Sequence, residues 1–261
     1  MNERYFISFN KKKTTSDIST TCSFYYQPKI TLTNNNNNRL SSLFINSHKQ
    51  EYTFKYSTST TNHKHHQRSC WSCKMNVEPK EFFCSICNVV QAPHQRINPF
   101  DIFSIKPEYN VDLKDISNRF KQLQKKLHPD LFQTLSKKEQ DLSKDQATAL
   151  NGAYNILRSP FLRAEFMLND KGLDLENVSD VDPEVLMEIL EIREEIEAAE
   201  ENEDAIKEIA HTNRQKMNQV EKKLDQLFKE NNYDEALNQA VYLRYLTRIQ
   251  EEVHKKLGFH V

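Results

Sequence analysis

Glycine occurs only three times in 261 residues, at Gly152, Gly172 and Gly258, and that scarcity narrows the folds open to this chain. A phosphate-cradling loop needs glycines so that backbone N–H groups can close on the ligand. Enzymes of the α/β class built on such loops are therefore disfavoured. Helices joined by short polar turns need few glycines, so an all-α fold is expected. Lys and Arg (36) nearly balance Asp and Glu (37), leaving a formal charge of −1. No global field argues for nucleic acid as a partner. No apolar run approaches the ~20 residues that cross a bilayer, so a soluble protein with no membrane partner is expected.

Composition is uneven along the chain. Residues 1–68 hold ten Lys or Arg against three acids, Glu3, Asp17 and Glu51, with many Ser and Thr and an asparagine run at 34–38. Such a stretch buries too little apolar surface to offset its ordering entropy, which predicts a disordered N-terminus. Positive, hydroxyl-rich and acid-poor is the composition of an organellar transit peptide. An asparagine-rich tail with no address has a similar composition, and no amphipathic Arg helix is evident near Met1.

Four of the five cysteines fall within eighteen residues, as Cys70-Trp-Ser-Cys73 and Cys84-Ser-Ile-Cys87. Each two-residue spacing lets one turn place both its sulfurs on a single ion, and four thiolates wrap Zn²⁺ tetrahedrally at about 2.3 Å. Two redox pairs or disulfides fit the same spacing, although a disulfide framework is foreign to a chain otherwise poor in cysteine. One structural Zn is expected within a miniature module spanning residues 69–95; iron in a rubredoxin-like knuckle is the alternative that spacing leaves open. Phe82 and Phe83 are expected to cover the metal. His63, His65 and His66 read as solvated tail residues, and Cys22 as incidental.

From Asp112 the hydrophobic period turns helical. Leu113, Ile116, Phe120, Leu123 and Leu127 recur at steps of three and four, which predicts one apolar stripe. Asp112 is the expected N-cap, with Asp115 in capping-box position. Arg119, Lys121, Lys125 and Lys126 lie largely off the stripe, giving a basic outer face. Pro129 stops the helix. A second helix is expected near residues 137–158, with Ala147, Leu150, Tyr154 and Leu157 inward and a polar first half projecting into solvent. Pro160 then opens a short third helix over residues 161–168.

The tip between the first two helices reads His128-Pro129-Asp130. At ordinary residue frequencies a chance match in a chain this long is on the order of one per cent, and its place after a basic helix lowers that further. Residues 96–171 thus resemble a J-domain. The resemblance implies that His128, Pro129 and Asp130, with Arg119, Lys121, Lys125 and Lys126, dock on a DnaK-type chaperone and stimulate its ATPase. Asn98-Pro99-Phe100-Asp101-Ile102-Phe103 resembles the opening segment of the HscB type of J-domain. Arg158-Ser159-Pro160-Phe161-Leu162-Arg163-Ala164-Glu165-Phe166 is similar to that family's Leu-Arg-x-Pro-x-x-Arg-Ala-Glu-aromatic signature.

Residues 172–261 read as three helices in a bundle. The first starts at Pro183 behind Asp182 as N-cap. The second carries Ile206, Ile209, Asn213, Met217, Val220, Leu224 and Leu227 near heptad spacing. The third carries Leu237, Ala240, Leu246, Ile249 and Val253. The stretch 185–195 is apolar on more than one face: Leu186, Ile189 and Arg193 cannot share a stripe with Met187, Leu190 and Glu194. Pattern alone leaves open whether every apolar residue there is core or one set faces outward as a partner site. The stretch resembles the HscB segment that binds the iron–sulfur scaffold IscU. On that resemblance Leu186, Met187 and Leu190 form the patch, Glu191 and Glu194 flank it, and Arg244 and Tyr245 contribute from the last helix.

The resemblance runs from about Cys70 to Leu257. It implies a non-enzymatic co-chaperone that delivers an IscU-type scaffold to a mitochondrial DnaK-type chaperone. The four-cysteine module and basic leader imply a mitochondrial form, located in the matrix with a cytoplasmic pool as a further option. A general J-domain co-chaperone for unfolded clients is the alternative; the charged rim and the missing Gly/Phe-rich linker count against it. A metalloenzyme would need an open metal position or a nearby base, and the knuckles contain no His.

Overall fold

The computed structural model of the protein describes residues 68–94, 98–178 and 181–258. The expected leader, Cys22 and the three histidines lie outside the described residues. Within them the regular structure is helical apart from one small hairpin in the irregular cysteine module, as expected of a glycine-poor sequence. That hairpin pairs β1 (Arg68–Ser69) antiparallel with β2 (Asn76–Val77). Arg68 therefore belongs with the cysteine module. Its guanidinium donates to the carbonyls of Ala92, Glu78 and Glu81, tying both ends of the module together.

Helix starts follow local capping chemistry. Asn98 caps α1 (Pro99–Ile102) by accepting the Phe100 N–H at 2.9 Å. Asp112 caps α2 (Leu113–Lys126) by accepting the N–H groups of Lys114 and Asp115. The expected reciprocal bond from Asp115 does not form. Its side chain is one methylene shorter than the Glu that such a box uses, and it holds Arg119 Nε at 2.8 Å instead. A complete box does open α3 (Lys137–Arg158), where Ser136 and Glu139 satisfy each other's backbone N–H groups. Ser159 caps α4 (Pro160–Asp170), which starts on proline and runs two residues past its expected end. Among the described residues three further helices follow: α5 (Pro183–Ala198), α6 (Glu203–Lys229) and α7 (Tyr233–Lys256).

Two cores result. In the first, α2 and α3 form a hairpin closed by α1 around Phe100, Phe103, Ile116, Leu127, Phe132, Leu150 and Leu157. Leu113 is the exception on the predicted stripe and stands exposed. The first half of α3 is not wholly solvated either. Ser143 and Gln146 are buried and hydrogen-bonded, Ser143 Oγ donating to the Leu127 carbonyl at 3.2 Å. Their polar type predicts exposure, but their position on the inner face of α3 buries them.

The second core joins α6 and α7 along Ile206, Met217, Val220, Leu224 and Leu227 against Ala236, Ala240, Leu243, Leu246, Ile249 and Val253. Each fully buried Leu or Ile contributes roughly 1.5–3 kcal/mol, so this seam holds without help from helix propensity. Ile209 and Leu237 lie only partly buried at its edge. The core does not stop at residue 172. Ala164 and Leu168 of α4, Leu175 and Tyr109 enter it. Tyr109 stacks on Phe228 at 5.2 Å, and Arg163 lies 5.1 Å over the Tyr109 ring. The Arg163-Ala164-Glu165 signature therefore lines the seam between hairpin and bundle.

Candidate partner-binding sites and a candidate metal centre

The tip sits where α2 ends. Leu127 and Phe132 flank it on either side and are both buried in the first core, so the residues between them are held up on two apolar anchors. Pro129–Phe132 forms a single 3-10 turn with His128 as its cap. His128 Nδ1 accepts the Asp130 N–H at 3.3 Å and lies 3.4 Å from Asp130 Oδ2. One ring nitrogen cannot serve both: with a lone pair it takes the N–H, with a proton it takes the carboxylate. Gln133 Nε2 donates to Asp130 Oδ1 at 2.9 Å, which fixes the carboxylate while leaving it exposed. Leu131 and Leu135 stand exposed beside the tip, a pair missed in the sequence because they belong to no periodic stripe.

The basic face divides. Lys121, Lys125 and Lys126 are exposed. Arg119 is half-buried and committed within the chain, donating to the Phe103 carbonyl at 3.0 Å as well as to Asp115. It clamps α1 to α2, so less of its charge is available to a partner than of the lysines.

On α5 the inner stripe is Ile189, Ile192 and Ile196. Leu186, Met187 and Leu190 point away from it and are 39%, 63% and 59% exposed. Glu191 and Glu194 are exposed on the same helix. The outward set thus includes Leu186, which spacing had grouped with Ile189. Glu188, not singled out in the sequence, fixes the helix. Its carboxylate takes Lys216 Nζ at 2.6 Å and the Tyr242 hydroxyl at 2.6 Å. Burial raises its pKa, but these two donors outweigh burial and hold it below the usual carboxylate range. Arg244 and Tyr245 are half-buried on α7. Arg244 lies 5.6 Å over the Tyr245 ring and reaches the Leu175 carbonyl at 3.4 Å, on the segment leading into α5.

The four cysteine sulfurs all lie within 4.8 Å of one another. Cys70 to Cys87 and Cys73 to Cys84 are each 3.6 Å apart, far beyond the ~2.05 Å of a disulfide. They are close to the edge of about 3.8 Å that a tetrahedral ZnS₄ centre would have. The two knuckles are built alike. Lys74 and Asn88, each directly after a second cysteine, take left-handed φ values of 65° and 56°. Each first cysteine accepts a backbone N–H on sulfur, from Ser72 and from Ile86, both at 3.4 Å. Burial pushes the Cys70 thiol up, but the N–H groups of Cys73 and Ser72 and the neighbouring sulfurs outweigh it and bring it down to about 6. Such donors stabilise thiolates, and the donor set fits a soft divalent ion with no position left open for substrate. Phe82 and Phe83 do not cover this centre. They pack on the first core, while Val77 and Val89 lie against the sulfurs.

A J-domain hairpin packed on a helical bundle, with a four-cysteine module at its N-terminal end, defines a class of co-chaperone. Residues 181–254 match the family described as the HSCB C-terminal oligomerisation domain. The chain is 31% identical over 192 residues to the human iron-sulfur cluster co-chaperone protein HscB, covering 72% of this chain and 81% of that protein. The Arabidopsis thaliana homolog is 30% identical over 189 residues, covering 72% and 74%. Among solved structures, human co-chaperone HscB superposes with a TM-score of 0.66 at 30% identity, covering 73% of this chain and 98% of that one. HscB from Vibrio cholerae gives 0.54 at 28% identity, covering 61% and 96%. The chain belongs to the HscB family of iron–sulfur cluster co-chaperones. These relatives are named as co-chaperones and not as enzymes. Among the described residues no helix is long and apolar enough to cross a membrane.

Proposed function

We propose that the chain is a two-ended adaptor that brings an IscU-type iron–sulfur scaffold to a mitochondrial DnaK-type chaperone and stimulates that chaperone's ATPase for cluster transfer. His128, Pro129 and Asp130 engage the chaperone, with Lys121, Lys125 and Lys126 steering its approach and Arg119 holding the helix in place. Leu186, Met187 and Leu190 form the scaffold face, rimmed by Glu191 and Glu194, with Arg244 and Tyr245 from α7 at its border. Hydrolysis belongs to the chaperone, so no catalytic residue is assigned here. The module holds one structural Zn²⁺ on Cys70, Cys73, Cys84 and Cys87, with iron the alternative. The matrix is the proposed location, on the composition of the leader and the family of the relatives.

The observation that carries this reading is the outer face of α5. Its inner stripe already fills the bundle with Ile189, Ile192 and Ile196, so three further large apolar side chains on one outward face have no folding role. Holding both partners on one chain raises their effective concentration for each other. The test is ATPase stimulation of the chaperone with and without scaffold. The adaptor reading expects the full chain to stimulate more with scaffold present, and the full chain carrying Leu186→Ala, Met187→Ala and Leu190→Ala to lose that gain. A general J-protein would respond equally to unrelated unfolded clients. Purified, reduced protein is expected to carry about one metal ion per chain, and Cys84→Ser with Cys87→Ser to carry none; elemental analysis reads both.

A further inference from the structure

The cysteine module is not a separate bead on the chain. Val90, three residues after Cys87, is 1% exposed and lies in the same core as Leu127 and Phe132, the two anchors of the tip. Phe82 and Phe83 pack on that core from the module side. Trp71, inside the first knuckle, donates its indole N–H to the Val90 carbonyl at 2.7 Å and lies under Lys138 of α3, 4.2 Å from Nζ to ring. Gln91 joins the two sides directly. Its amide Nε2 donates to Cys70 Sγ at 3.3 Å, and its backbone carbonyl accepts from Gln146 Nε2 of α3 at 2.9 Å. Both glutamines are buried, at 3% and 5% exposure. One turn earlier on α3, Ser143 holds the carbonyl of Leu127, the residue before His128. An unbroken path of buried bonds and packed side chains thus runs from the Cys70 sulfur to the base of the tip.

We infer that the four-cysteine module is a buttress for the tip, with Gln146 as a positioning residue, so that metal occupancy sets how firmly His128-Pro129-Asp130 is held. Without an ion nothing bridges the four sulfurs, and the two knuckles are left to the short β1–β2 pair, the Phe83–Val90 bridge and the bonds made by Arg68 and Trp71. Loosening them frees Val90 and Gln91 from α3, and with them the floor under Leu127. Among the described residues no comparable chain of bonds joins the sulfurs to α6 or α7. The inference rests on the proposed role of the tip only for its consequence in ATPase stimulation, not for the coupling itself.

Amide hydrogen exchange on the full-length chain, Zn²⁺-loaded and then stripped with a chelator under reducing conditions, tests it. The expected result is faster exchange at Cys70 and Cys84, and about tenfold or more at Leu127 and across residues 143–150 of α3, with α6 and α7 unchanged. Gln146→Leu, with its metal retained, is expected to show a severalfold smaller version of the same pattern. Wild-type exchange at Leu127 and α3 while the knuckles loosen would overturn the proposal. So would equal loosening of α6 and α7, unaltered knuckles after stripping, or wild-type exchange in Gln146→Leu. Chaperone stimulation measured on the same samples separates the two claims: if the coupling appears but stripped and loaded protein both fail to stimulate, the assignment of the tip fails and the buttress stands.

Discussion

Helices α2 and α5 follow one plan with opposite outer chemistry. Each turns an apolar stripe inward, Ile116 with Phe120 and Leu123 on one, Ile189 with Ile192 and Ile196 on the other. The outer face of α2 is lysine, and that of α5 is Leu186, Met187 and Leu190. Exposed lysines act at a distance and set association rates. Exposed aliphatic side chains act only at contact, through the water they release, and set dissociation. On the proposed function, one chain offers a steering surface to the chaperone and a gripping surface to the scaffold. Salt and mutation should tell them apart.

The largest effect is expected at the tip. His128→Gln should abolish ATPase stimulation while circular dichroism and scaffold binding stay as in the wild type, since the side chain is exposed and its one backbone contact is local. Normal stimulation by this variant would remove the tip from the comparison.

Next comes the gripping face. Leu186→Ala, Met187→Ala and Leu190→Ala combined should weaken scaffold binding on the order of a hundredfold, at ~1 kcal/mol or more for each anchor. Thermal stability should shift little, because exposed truncations usually stay within ~0.5 kcal/mol each. Calorimetry and a melt on one preparation read both quantities. A loss of ~2–5 kcal/mol per Leu would instead place these residues in a core.

A smaller, salt-dependent effect belongs to the steering face. Lys125→Glu with Lys126→Glu should slow chaperone association by about tenfold at low salt, leave dissociation nearly unchanged, and converge on the wild type as salt rises. Stopped-flow association across ionic strength gives the slope. Scaffold binding should show far less salt dependence, and equal slopes for the two partners would erase the distinction drawn between α2 and α5.

The smallest effect on partner binding is expected at the seam joining the two regions, where stability changes instead. Burial, helped by Glu176 and Asp174 and opposed by Arg244, pushes the Glu165 carboxyl from 4.5 up to about 7. Between those values the folded chain holds a proton that the unfolded chain releases. Stability from this group is therefore full below about 4.5 and falls as pH rises through about 7. Urea unfolding from pH 5 to 8 should show that decline, and Glu165→Gln should flatten it.

Much of this protein is legible in its sequence. Helix starts at residues 113 and 183 follow from Asp112 and Asp182, because a cap is a bond between a side chain and backbone two or three residues away. The tip and the knuckles are equally local: a tripeptide after a basic helix, and two pairs of thiols at fixed spacing. The heptad seam of α6 shows in its own period. Where the reading from sequence departed from the structure, long-range partners were the cause. Arg119 looks like one more outer cation until the carbonyl of Phe103, sixteen residues back, accepts its hydrogen bond. Phe82 and Phe83 look like lids on the metal until the hairpin core claims them.

The all-α class, the caps at Asp112 and Asp182, the tip and the cysteine set each depend on residues within one or two turns, so they can be read along the chain. Packing between distant segments chose which face of 185–195 looks outward, because two apolar stripes on one helix are equivalent until a neighbour covers one. It also joined Gln91 to Gln146 across fifty-five residues and set Arg163 beside Tyr109. Such contacts carry no period or motif; they exist because burying a polar group obliges it to find a partner, and that partner is fixed by packing rather than by spacing.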